Sequence, residues 1–386
     1  MTDEKKIEFD KNMNAVRGEI DSIDSQLIPL LIERMKCSAR VAEYKRKADM
    51  PVYDPIREKH ILDNIRSSDE EYGSSLSSIY TGIMAASKAK QYAMLDSRGE
   101  AIRQIEKNAP REMPAKNVKI VCQGKEGAYS HKSARSFFPG NENISFTESF
   151  SQVFQEVAGR KADYGILPVE NSVAGSVAEV YNLLLKHRCF IVGANVVKIN
   201  HCLAAIGKTP VHTVMSHPQA LRQCSDYISS HNLKEIEYSN TAAAAEMLKE
   251  SGDPGLGVIC SVEAAKSRGL TIIAENIQNA AHNATRFIVI SKEAILPEKA
   301  DKISLCFSLP HRTGSLYNIL ESFAFHGLNL TKIESVPIPE RQFEYDFYLD
   351  FTGNIHDEKT LGLICALHDE LSRFSFLGNY IVQDAE

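Results

Sequence analysis

Apolar residues recur at steps of three and four near the start of the chain. Val16, Ile20, Ile23, Leu27 and Leu30 share one face, the period of an amphipathic helix. The pattern predicts a first helix from about residue 8 to Lys47, kinked at Pro29, whose ring clashes with the preceding turn. A helix of about 40 residues is about 60 Å long. Ninety-odd residues cannot cover it alone, so a second copy is expected to bury the stripe. Asp54-Pro55 fits the N-cap and first position of a second helix. A third is expected from about Leu76 to Leu95, after the turn-like SSDEEYGSS. The polar stretch 96–117, with Pro110 and Pro114, reads as a linker, helical at first.

From Val118 the pattern changes. Short apolar runs (YGILPV, CFIVGANVV, HCLAAIG, HTVMS, LGVIC, TIIAENI, RFIVIS) alternate with helical stretches. This predicts an α/β segment, 118–291, with a largely parallel sheet and room for two lobes around a cleft. KEAILPEKAD, 292–301, is a second linker. Residues 302–386 read strand-helix-strand-strand-helix-strand, the ferredoxin-like α+β order.

Composition narrows the functions open to these segments. Acids outnumber bases 50 to 44, so a general affinity for nucleic acid or anionic membrane is not expected. No apolar run approaches a membrane span and MTDEKKIEFD lacks a signal-peptide core. The eight cysteines form no C-x-x-C pair. They read as reduced, mostly buried thiols of a cytoplasmic protein, with no metal site. The absence of G-x-G-x-x-G argues against a nicotinamide-dependent dehydrogenase, and no cofactor is expected.

The helical segment places charges on particular faces. Arg34 and Lys45, eleven residues apart, lie within about 20° of each other; Arg17 and Arg34 point about 100° apart. Arg17 therefore suits a partner's pocket better than its own. Arg34 also falls in the apolar series Leu27, Leu30, Arg34, Cys37, Val41, where a buried arginine needs an anionic partner. Arg17, Arg34, Lys45, PVYDPIRE (51–58), Ser87 and Gln91 together resemble the all-helical chorismate mutases. The resemblance implies an intertwined dimer of three helices per chain. It implies that Arg34 and Arg17 hold substrate carboxylates and that Lys45 and Gln91 face the ether oxygen. Glu58 and Asp54 would serve the hydroxyl region, with Arg57 and Ser87 completing the shell. Such a rearrangement needs no nucleophile, metal or redox group, only a dianion held in a reactive conformer with donors where charge builds.

In the second segment, QGKEGAYSH (123–131) is a glycine turn that lets N–H groups approach an anion. DYGILPVENSVAGSV (163–177), SHPQALRQC (216–224), SNTAAAAEM (239–247) and NATRF (283–287) follow. Singly each reads as a turn or cap; in this order they resemble prephenate dehydratase. The resemblance implies a two-lobed fold like the periplasmic binding proteins, with the site in the interlobe cleft. Thr285 would be the donor to the departing ring hydroxyl. Ser130, Glu170, Asn171, Ser172 and Gln219 would line the cleft. Arg286 is either a carboxylate contact or an ion-pair partner. The second role is favoured, because strand neighbours point to opposite faces.

RTGSLYNIL (312–320) and KIESVPI (332–338) resemble the ACT regulatory domain of these dehydratases. That implies L-phenylalanine binding at an interface by Gly314, Ser315, Leu316, Glu334 and Ser335. Val336 stands where the related pattern has arginine. The whole chain therefore reads as a bifunctional enzyme acting on chorismate and prephenate, regulated by phenylalanine, a homodimer or higher homo-oligomer. The rival reading is a catalytically inactive aromatic-ligand-binding regulator on the same scaffold.

Overall fold

A computed structural model describes residues 3–48, 50, 52–92, 99–311, 314–338, 341, 344–371 and 373–384. The helical segment holds α1 (Asp3–Lys47), α2 (Pro55–Arg66) and α3 (Gly73–Tyr92), followed by α4 (Glu100–Asn108). The next segment runs β1 (Ile120–Gln123), α5 (Tyr129–Phe137), β2 (Ile144–Thr147), α6 (Phe150–Ala158), β3 (Tyr164–Asn171), β4 (Gly175–Ser176), α7 (Ala178–His187) and β5 (Phe190–Lys198). It continues with β6 (Cys202–Ala205), β7 (Thr213–Ser216), α8 (Pro218–Gln223), α9 (Ser225–Ser230), β8 (Lys234–Glu237), α10 (Thr241–Ser251), β9 (Leu256–Cys260), α11 (Val262–Ser267), β10 (Thr271–Glu275) and β11 (Ala284–Ser291). Last come β12 (Lys302–Ser308), α12 (Ser315–Phe325), β13 (Leu330–Pro337), β14 (Tyr345–Thr352), α13 (Glu358–Glu370), β15 (Phe374–Tyr380) and β16 (Val382–Asp384).

These residues gather into two compact units: Met1–Glu100 with Arg312–Gly327 and Gly362–Glu370, and Ala101–His311 with Leu328–Leu361 and Leu371–Glu386. In the first unit, α1 passes Pro29 without a break in its helical assignment. Asp54 caps α2, accepting from the Arg57 N–H at 3.0 Å, a contact that contributes about 1 kcal/mol. Asp69 accepts from the N–H groups of Glu71 and Tyr72, so α3 starts at Gly73, three residues before the expected Leu76. The expected end of this helix, residues 93–95, lies outside the described residues. The unit has little core of its own. No residue of α2 is buried, and Ile23 and Leu30 on α1 are each 62% exposed.

The second unit carries three sheets. The first has the order β16-β5-β11-β3-β1-β2, with β4 beside β3. The largely parallel sheet expected from the sequence is instead mixed: β1 runs parallel to β2 and β3, while β11 is antiparallel to both β3 and β5. The reason is that β11 returns from the second sheet and runs back along the gap between β3 and β5. Both faces are covered. Val121, Leu167, Ile288 and Ile290 enter one core, while Ile120, Cys122, Ile166, Phe287 and Val289 enter the other. Burial on both sides is why these strands read as continuous apolar runs.

The second sheet, β10-β6-β9-β7-β8, is likewise mixed: β6 is antiparallel to β9 and β10, and β7 parallel to β8 and β9. The third, β13-β14-β12-β15, is antiparallel throughout. It shares a core with the first sheet: Cys306, Val336, Tyr348, Leu377 and Tyr380 pack with Val153, Leu184 and Ile191. Val336, where the related pattern has arginine, is 3% exposed in this core. β15 comes so close to β5 that a Cβ on Gly378 would sit 2.0 Å from the Ile191 carbonyl oxygen, and only glycine fits. β16 then extends the first sheet parallel to β5.

Candidate active sites

In the helical unit, α1 and α3 bring part of the expected charge set together. Arg34 Nη1 donates to Ser87 Oγ at 2.9 Å, and that hydroxyl donates to the Ile83 carbonyl at 2.8 Å. One turn on, Gln91 Nε2 donates to Ser38 Oγ at 2.8 Å. Gln91 Oε1 is buried and receives no hydrogen bond from the described residues. Lys45 Nζ donates to the Val52 carbonyl at 2.6 Å, which ties the end of α1 to the approach to α2. Glu58 sits 3.4 Å from Lys88 Nζ, which is also 3.9 Å from Glu370. Burial raises the Glu58 carboxyl above its usual range, and Lys88 opposes that shift. Asp54 serves as the α2 cap, and Arg57 is exposed.

Arg17 is exposed and stands apart. Seventeen residues of helix separate it from Arg34 by about 25 Å. The sequence argument missed Ser38 and Lys88. Ser38 falls one turn after Arg34 on the same helical face; nothing in the local pattern marks Lys88, which is set by pairing across helices.

The second unit holds a partly open cavity of about 350 Å³. One side is formed by Gln123 on β1, Pro168 and Asn171 on β3, and Thr285 and Phe287 on β11. The other is formed by His201, His217, Gln219, Gln223, Asn240 and Thr241. Among the described residues, no lysine or arginine lines it. A register shift between Arg286 and Phe287 leaves Val169 without a partner on β11, and its carbonyl accepts from the Val177 N–H at 3.0 Å. That bulge lets Pro168 and Asn171, three residues apart, face the same space.

Thr285 lies opposite Asn171 in the ladder. Asn171 Oδ1 accepts from the N–H groups of Val173 at 3.0 Å and Ala174 at 2.8 Å. This fixes the orientation of the amide, so its NH₂ faces the other way. Asn171 Nδ2 donates to Thr285 Oγ1 at 2.9 Å and to Asn283 Oδ1 at 2.8 Å. The threonine oxygen is thus an acceptor toward Asn171, which leaves its own proton for a molecule in the cavity.

Three helices start at the cavity wall: Ala128, Tyr129 and Ser130 open α5, Val177 caps α7, and Asn240 and Thr241 open α10. Ala128 and Val177 supply no side-chain cap, so first-turn N–H groups remain for an anion. His201 contacts Tyr129 Oη at 3.3 Å and Gln223 Oε1 at 3.0 Å. Burial lowers its pKa, and His217 is lowered by burial and by Arg222. Both are neutral polar groups at pH 7. Ser130 lines the cavity but donates to the Gln123 carbonyl at 2.6 Å.

Glu170, Ser172 and Arg286 are not among the lining residues. Ser172 is exposed and donates to the His282 carbonyl at 3.1 Å. Arg286 pairs with Asp350 at 2.7 Å and Glu170 at 3.2 Å. Burial would lower the Arg286 pKa, but Asp350 and the nearby Tyr380 and Tyr181 hold it above its usual value. His201, Tyr129 and Asn283 went unrecognised in the sequence because their partners come from distant parts of the chain.

Among the C-terminal candidates, Gly314 opens α12 at φ 84° with Ser315 and Leu316 after it, in the first unit. Glu334 and Ser335 lie on β13 in the second. Glu334 accepts from Ser176 Oγ at 2.7 Å, and Ser335 is exposed.

Residues 120–295 match the prephenate dehydratase family, and residues 16–92 match chorismate mutase type II. The chain is 32% identical over 380 residues to the bifunctional chorismate mutase/prephenate dehydratase of Aquifex aeolicus (strain VF5), covering 96% of this chain and 98% of that protein. The chain belongs to the bifunctional chorismate mutase/prephenate dehydratase family. Arogenate dehydratase/prephenate dehydratase 1 of Arabidopsis thaliana is 37% identical over 282 residues, 68% of this chain and 72% of that one. Among solved structures, the prephenate dehydratase of Arthrobacter aurescens in complex with L-Phe aligns with a TM-score of 0.63 at 29% identity. It covers 68% of this chain and 90% of that one. The mutase match falls on α1–α3 and the dehydratase match on the two sheets that border the cavity.

Proposed function

We propose that the chain rearranges chorismate to prephenate on its helical unit and converts prephenate to phenylpyruvate, with loss of carbon dioxide and water, in the cavity. The observation that carries this reading is the Asn171–Thr285 pair, which leaves a donor proton directed at a cavity lined by neutral donors. Thr285 gives its hydrogen bond to the departing ring hydroxyl, and the helix starts and Gln219 hold the carboxylates. Aromatisation drives carbon dioxide out once the hydroxyl leaves.

In the mutase site, Arg34 and Ser87 hold a carboxylate, and Gln91 and Lys45 serve the ether oxygen. Glu58 and Asp54 take the hydroxyl region, with Arg57 at the rim. A second copy supplies Arg17 and covers the α1 stripe. The boundaries are a mutase domain 1–95, linkers 96–117 and 292–301, a dehydratase domain 118–291 and a ferredoxin-like ACT domain 302–386. The ACT domain binds L-phenylalanine through Gly314, Ser315, Leu316, Glu334 and Ser335. Eight free cysteines suit a reducing compartment, and we place the enzyme in the cytoplasm.

Incubation of the purified chain with chorismate, following prephenate and phenylpyruvate with and without phenylalanine, tests all three parts. Sequential formation of both products, slowed by phenylalanine, is expected. No turnover in a folded dimer would leave an inactive aromatic-ligand regulator in its place.

A further inference from the structure

The face of β3 and β11 turned away from the cavity is held by residues from outside the dehydratase segment. Arg286 lies opposite Glu170 just as Thr285 lies opposite Asn171. Beyond them stands the third sheet. Asp350 on β14 is 2.7 Å from Arg286 Nη1, and Lys332 on β13 is 2.9 Å from Glu170 Oε1. The second Asp350 oxygen accepts from Ser304 at 2.6 Å, and Ser304 lies 2.8 Å from the Tyr380 hydroxyl. Lys332 also donates to Ser176 at 2.6 Å, and Ser176 donates to Glu334. The side chains of Arg286, Asp350 and Lys332 are 12%, 6% and 10% exposed.

We propose that Asp350 and Lys332 are positioning residues for the dehydration, clamping Arg286 and Glu170 and so fixing the ladder pair Thr285–Asn171 that aims the hydroxyl into the cavity. The ladder between β3 and β11 is irregular next to this pair. The register shifts immediately after Arg286, so hydrogen bonding between the two strands is interrupted beside the reacting pair. A bulge disrupts the ladder locally, and here the disruption is confined to the β3 side, since β11 keeps regular register with β5 from Ala284 to Val289. The four charged groups add a constraint on the β3 side, and each is compensated only while the others remain. Such a clamp is worth more to catalysis than to binding, because a displacement of about 1 Å can cost on the order of 100-fold in rate. The inference rests on the reading of Thr285 as the donor.

The test uses the full chain and four variants: Asp350→Asn, Lys332→Met, Asp350→Glu and Thr285→Ala. Prephenate turnover is split into kcat and KM, and the mutase rate and thermal transition are recorded for each. Asp350→Asn is expected to lower dehydratase kcat by about 10- to 100-fold, with KM changed less than about threefold. Lys332→Met should have a smaller effect of the same kind, and Asp350→Glu should recover part of the loss. Unchanged kcat in folded Asp350→Asn and Lys332→Met, with Thr285→Ala inactive, overturns the clamp and leaves the Thr285 reading standing. A Thr285→Ala chain with full kcat overturns the Thr285 reading instead. Should Asp350→Asn fail to fold, Lys332→Met decides alone.

Discussion

The two sites face related dianions and treat them differently. The helical unit offers cations: Arg17, Arg34, Lys45 and Arg57, spread along helices whose apolar stripe is open to solvent. Among the described residues, no lysine or arginine lines the dehydratase cavity, which offers amides, hydroxyls, neutral histidines and helix starts. In the helical unit Ser38, Ser87 and Gln91 are buried beside Arg34 while Arg17 and Arg57 are exposed, and solvent screening weakens the exposed charges most. In the partly open cavity of the second unit, oriented dipoles and helix starts take the place of full charges where the walls exclude part of the solvent. That cavity takes every lining residue from one compact unit.

The largest effect expected is from Thr285→Ala, a loss of about 100- to 10,000-fold in dehydratase kcat with the mutase rate unchanged, measured on both substrates. Loss of both activities in a folded chain would erase the distinction between the sites. Next, Arg17→Ala and Arg34→Ala should each lower mutase turnover by about 100-fold or more. Mixing the two inactive proteins after dissociation should restore about a quarter of wild-type mutase activity, because random exchange in a two-fold dimer rebuilds one site in half the dimers. Failure of the mixture to recover would mean that each chain holds a whole site.

Ile23→Asp on the exposed stripe should yield monomers by sedimentation, with the mutase disabled and dehydratase turnover within about twofold of wild type. The smallest effect concerns pH. Burial lowers the pKa of His131, His187, His201 and His217 in the folded second unit. The unfolded chain takes up protons near a pKa of about 6.5 while the folded chain does not. Stability from these groups is therefore full above that value and is lost as pH falls below it. A lower urea midpoint at pH 5.5 than at pH 7.5 is expected, and His201→Gln should reduce the difference.

Much of this architecture was legible because strong periodicity tracks burial. The strands buried on both faces, such as β3, β5 and β11, stand out as apolar runs, and Asp54-Pro55 marks the start of α2. What stayed hidden has no apolar signature. Every residue of β8, KEIE, is exposed, and β16 is three residues long. Strand direction was hidden too, since the insertion of β11 between β3 and β5 depends on where the chain travels between them. At the sites, resemblance singled out Thr285 and Asn171, but not that Asn171 orients Thr285 or that Glu170 faces away. Alternation along β3 turns Glu170 away from Asn171, while the bulge at Val169 decides that Pro168 faces the cavity, and a one-residue slip of register leaves no mark in composition.

The strand β16 has a consequence for synthesis. It pairs with β5, yet it is made only after the entire third sheet. A nascent chain that has emerged as far as Ser291 holds every residue of the cavity but presents the edge of β5 with no neighbour. An unpaired edge on an apolar sheet invites pairing with another chain. The β5 edge therefore stays open during synthesis until the third sheet has been made, and the most hazardous moment falls between release of β11 and arrival of β16.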